Sequence, residues 1–176
     1  MRNRAKWMVL AAALLLGGQV AGCAASGEGA TPTEDAETTS PLRLEDGKRI
    51  AQAGELEIVG LIRKEDVTAV HQREKGSLLS CAGDGLYRWA GGTDVEVSAG
   101  VNLTDIVDRV AAHYSARAGW SASRETSPWN EPEALLQMPN GGRFIVGGAP
   151  DRSIIEIFSF SPCFRLQGDE SPHSYY

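Results

Sequence analysis

Leu103, Ile106, Val107, Val110 and Tyr114 lie three or four residues apart, the spacing that puts apolar side chains on one face of a helix. Asn102 suits the N-cap, Asp105 follows at the third helical position, and Gly119 ends the pattern. A weaker helix is predicted over 41–62, opened by Ser40-Pro41 and carrying Ile50, Ala53, Ile58, Leu61 and Ile62; Gly47, Gly54 and Gly60 work against it. Elsewhere the period shortens to two. Segments 67–73 and 77–82 read as a hairpin around Glu74-Lys75-Gly76, followed by strands over 86–90 and 94–98. After the second helix, 120–126, 134–138, 143–147 and 153–164 read as strands, the last three joined as an antiparallel meander by turns at 139–142 and 149–152. This order, α-β(4)-α-β(4), is an α+β pattern with two helices on antiparallel sheet. It would admit two similar halves joined by a disulfide, although no residue-level repeat relates them.

The first residues depart from all of this. Arg2, Arg4 and Lys6 precede an apolar run from Trp7 to Leu16, which is the layout of a signal peptide. A run of that length is about half of the ~20 residues needed to span a bilayer. Val20-Ala21-Gly22-Cys23 then resembles the lipobox of bacterial lipoproteins, in which the cysteine thiol receives a diacylglyceryl group and cleavage falls just before it. The expected organisation is a signal peptide over 1–22, lipidated Cys23 with an acidic disordered tether to residue 40, one domain over 41–167 and a flexible tail over 168–176. The two arginines are separated by Asn3, so Sec export is expected rather than the twin-arginine route.

Removing residues 1–22 leaves 14 basic against 23 acidic residues, a net charge of about −9. Such a balance disfavours nucleic acid and leaves membrane attachment to the lipid on Cys23. Of three cysteines, two remain for the domain. In an oxidising compartment Cys81 and Cys163 are expected to pair, the alternative being two buried free thiols.

Catalytic motifs are hard to find. His71, His113 and His173 have no short ligand spacing, no Gly-x-Ser-x-Gly elbow occurs, and Asp105 and Asp108 suit the first turns of a helix, so no metal, cofactor or catalytic residue is assigned. Tyr87, Trp89 and Trp120 are expected in the core or at its margin. Trp129 sits in Ser127-Pro128-Trp129-Asn130-Glu131-Pro132, where a large ring either folds back onto the sheet or offers a recognition anchor. The run Leu78-Leu79-Ser80-Cys81, the Tyr87-Arg88-Trp89 strand with Gly91-Gly92 after it, and Ser161-Pro162-Cys163-Phe164 resemble small lipoproteins of high-GC Gram-positive bacteria. The resemblance implies lipidation at the envelope and a paired-cysteine domain, and brings no activity. The expected function is a non-enzymatic interaction or binding module at the cell envelope, with an envelope protein or the cell wall as partner. The alternatives are a cell-wall hydrolase or transferase with an unrecognised site, and a carrier of an apolar ligand.

Overall fold

The computed structural model describes residues 42–149 and 153–176; the expected signal segment, Cys23, the tether and the Ser40-Pro41 cap lie outside them. Two helices, α1 (Leu44–Val59) and α2 (Leu103–Ser115), pack on one face of an antiparallel sheet, giving the expected α+β class. The strands are β1 (Val67–Gln72), β2 (Ser77–Ser80), β3 (Leu86–Val97), β4 (Ser121–Thr126), β5 (Pro132–Gln137), β6 (Arg143–Ala149), β7 (Ile154–Phe160) and β8 (Phe164–Arg165). Their order is β1-β3-β7-β6-β5-β4, with β2 and β8 also paired to β3. The segments before and after α2 therefore build one continuous sheet, not one sheet each.

β3 replaces the two strands expected over 86–90 and 94–98. Gly91-Gly92 lies inside it, paired to Ser159 and Phe158 of β7. Glycine is needed there for close approach: a Cβ on Gly91 would fall 1.9 Å from the Trp89 ring, and one on Gly92 would fall 2.5 Å from the Ile157 carbonyl oxygen. Alternating side chains of β3 and of the β4–β7 meander point toward the helices. Val95, Ile155, Ile157, Phe144, Val146, Ala134 and Leu136 meet Ile58 of α1 and the whole apolar face of α2.

α2 forms where its periodicity places it, and the Asn102 side chain accepts the Thr104 amide at 3.0 Å. α1 differs from expectation in both phase and length. Its buried face is Leu44, Gly47, Ala51, Gly54, Glu55 and Ile58, while Ala53 is exposed and the helix stops at Val59. The reason is proximity, since a Cβ on Gly54 would sit 2.2 Å from the Phe144 ring. The helix thus touches the sheet through glycines that an apolar count passes over.

A smaller core of Leu44, Ala51, Leu78, Trp89 and Phe164 occupies the pole where the chain enters at Leu42. The segment expected as a flexible tail returns to this pole. Tyr176 exchanges backbone hydrogen bonds with Gly76, at 3.0 and 2.5 Å, and its carbonyl accepts the Trp89 indole N–H at 3.2 Å.

Candidate functional site

The opposite pole gathers the β4–β5 hairpin, the β3–α2 connection and the segment before β1. Trp129 stands at the hairpin tip with 81% of its surface exposed. The residue that holds it there is Ser127, which is buried. Its hydroxyl accepts the Trp129 and Glu131 amides at 3.3 and 3.1 Å, its amide donates to the Glu131 carbonyl at 2.8 Å, and its carbonyl accepts from Asn130 at 2.9 Å. Asn130 takes the left-handed conformation, φ 64°, that closes the turn. Sequence patterning left the direction of Trp129 open because it is set by this inward-facing serine and not by the ring.

Two open grooves flank the start of α2. One, about 320 Å³, runs between Asn102, Leu103 and Thr104 on one side and Glu131, Pro132 and Gly148 on the other, at the base of the Trp129 hairpin. Its neighbour, about 490 Å³, is lined by Arg63, Asp66, Asn102, Asp105 and Arg109. Arg63 grips the buried Asp66 carboxylate with two hydrogen bonds, 2.7 and 3.1 Å. Those bonds, with the charge of Asp66, hold the guanidinium above its ordinary value. Arg109 donates to the Leu61 carbonyl at 3.3 Å. Alternating cations and carboxylates in a solvent-open groove suit hydrogen bonding to a polar surface. Sequence reading missed this set because its members come from the segment after α1 and from α2, about 40 residues apart.

Histidines contribute little here. His71 meets Glu96 at 3.0 Å on the exposed edge strand, and His113 stacks edge-on against Tyr114. Asp105 and Asp108 part company: the first lines the larger groove, and the second pairs with Arg124 at 3.0 Å. Trp89 is fully buried, while Tyr87 and Trp120 sit at the core margin.

Another missed feature is Glu55, which has no solvent exposure. Its carboxylate accepts from Gln72 Nε2 at 2.8 Å, Thr93 Oγ1 at 2.7 Å and the Ser159 hydroxyl. The donors come from β1, β3 and β7, so the carboxylate pins α1 across three strands. With its carboxylate out of solvent and held by donors from three strands, this network reads as structural.

Cys81 and Cys163 form the expected disulfide, with Cα atoms 6.4 Å apart. It ties the chain after β2 to the chain before β8, both already paired to β3. Arg88 of β3 donates to both sulfurs, at 3.4 and 3.3 Å. Among the described residues, no helix is long and apolar enough to cross a membrane. Compared with known proteins, the chain matches no family model, no curated protein and no solved structure.

Proposed function

We propose that this chain is an exported, lipid-anchored interaction module, tethered through Cys23 and binding an envelope partner through the pole that carries Trp129. The observation behind the binding pole is the exposure of Trp129 on a hairpin whose hydrogen bonds all turn inward to Ser127. A ring held in place before binding loses little conformational entropy when it docks. Tryptophan is also among the residues that carry most of the energy at protein interfaces. The position of the pole supports the same reading, because the chain enters the domain at the other end of α1, ~24 Å away along a 16-residue helix.

The enzyme and carrier alternatives draw on no specific observation. The grooves at this pole are open and polar-lined, whereas a carrier needs an enclosed apolar cavity.

Trp129→Ala tests the assignment. A buried ring would cost ~3–5 kcal/mol on truncation, so an unchanged melting transition is expected for this exposed one. A photo-crosslinker placed at Glu131 on intact cells should capture a defined species that the Trp129→Ala background loses. Capture that is indifferent to Trp129 would reject the recognition role.

A further inference from the structure

The disulfide spans a cation that a neutral bridge does little to satisfy. Arg88 sits on β3 opposite Leu79 of β2, and its side chain leaves the strand on the other side from that of buried Trp89. Its Nε donates to Cys81 Sγ at 3.4 Å and its Nη2 to Cys163 Sγ at 3.3 Å. Bridge sulfur is a weak acceptor, so these bonds return little to a half-buried guanidinium.

The surroundings sharpen the imbalance. Among the described residues, no carboxylate pairs with Arg88; burial, and then the charge of Arg143, hold its pKa below the ordinary arginine value. Arg143 is itself turned to the Phe160 ring, its guanidinium 4.5 Å from the ring centre. In the turn after Cys81, Arg165 donates to the Asp84 backbone carbonyl at 3.0 Å. A negative charge on either sulfur would give Arg88 the partner it lacks, through a charge-assisted hydrogen bond partly shielded from water.

Opening the bridge need not carry the sulfurs away. The Cys81 amide donates to the Leu86 carbonyl at 2.8 Å. Cys163 is flanked by Ser161, whose amide donates to the Trp89 carbonyl at 2.9 Å, and by Phe164, which is paired to Tyr87. Both cysteines are thus held to β3 by the backbone, with or without the bond between them. Each is half-buried, and residues 82–85 beside Cys81 are exposed, which leaves the bridge open to approach from solvent.

We propose that the Cys81–Cys163 bridge is a thiol–disulfide exchange site that accepts two electrons from a dithiol, with Arg88 receiving the departing sulfur as a thiolate. A thiolate of the dithiol attacks one bridge sulfur. A mixed disulfide forms, the bridge S–S bond breaks, and its electron pair leaves on the other sulfur, which Arg88 already touches. The second thiol of the dithiol, losing its proton to water, attacks the sulfur of its own chain and releases the remaining cysteine as a thiolate. The dithiol is then oxidised to a disulfide, and Cys81 and Cys163 are reduced.

Two effects set the behaviour of the pair. Strand pairing keeps the sulfurs adjacent, which favours reclosure and makes the exchange reversible. The guanidinium makes the departing sulfur a better leaving group, which makes it fast. The site belongs to the pole opposite Trp129 and does not depend on what that residue binds.

The full chain carrying Cys23→Ser, which leaves these two cysteines alone, tests the site with dithiothreitol as the dithiol. Reduction at neutral pH, stopped by alkylation and read by intact mass, should be at least ~5-fold faster than in the same chain with Arg88→Met. Arg88→Lys, which keeps the charge, should recover most of that rate. In the reduced chain one thiol should titrate below about pH 7.5 by its ultraviolet thiolate absorbance, and Arg88→Met should return it to about 8.5. An arginine that only braced the strands would move the melting transition and leave this titration unchanged. If Arg88→Met does not fold, the titration of the chain with Arg88 intact decides alone. Both thiols titrating at about 8.5 or above, equal reduction rates in folded proteins, or loss of the fold on reduction would each overturn the proposal.

Discussion

A carboxylate with no access to water needs other donors, and Glu55 takes them from β1, β3 and β7. Its partners donate two hydrogen bonds to one carboxylate oxygen and one to the other, so an exchange of either oxygen for an NH₂ opposes at least one donor. Glu55→Gln is therefore expected to lower stability by ~1–3 kcal/mol in urea denaturation, with the fold retained. Equal stability would mean that the network contributes nothing. Neither Glu55 nor the direction of Trp129 could be read from the sequence. Both depend on small polar residues, Ser159 and Ser127, whose partners are assigned only once strands or turns have closed.

Among the elements, α2 was the most legible because its signals are local: an asparagine cap, an unbroken apolar face and a terminating glycine. α1 was legible as a helix but not in phase. Half of its buried face, Gly47, Gly54 and Glu55, carries no apolar signal. The split reading of β3 has a similar origin. Gly91-Gly92 resembles a turn in sequence, and only the pairing with β7, more than 60 residues later, makes it strand. The cysteine pairing was readable from the count and the expected compartment, though not its place beside β3. The bridge closes a separation of 82 residues, which the chain-entropy account values at ~4–5 kcal/mol, less where the reduced chain keeps structure. Since β2 and β8 are both held by β3 in any case, Cys81→Ala with Cys163→Ala is expected to fold and to lose about 2–4 kcal/mol. An unchanged denaturation midpoint would show that strand pairing alone closes this loop.

For the whole molecule, the two poles are built differently. One pole receives the chain at Leu42 and is closed by the disulfide and by Tyr176; the other presents Trp129 and the grooves. On our proposal the second pole is the one that meets a partner. The α+β class could be reached from patterning alone, whereas this polarity could not, because it depends on which strand ends share a pole. The central claim is display by a lipid anchor, and the intact mass of the protein extracted from membranes tests it most directly. The account predicts a chain beginning at Cys23 and carrying diacylglyceryl mass, absent from a Cys23→Ser variant that stays unprocessed. A membrane-free chain cleaved elsewhere, or normal maturation of Cys23→Ser, would contradict it.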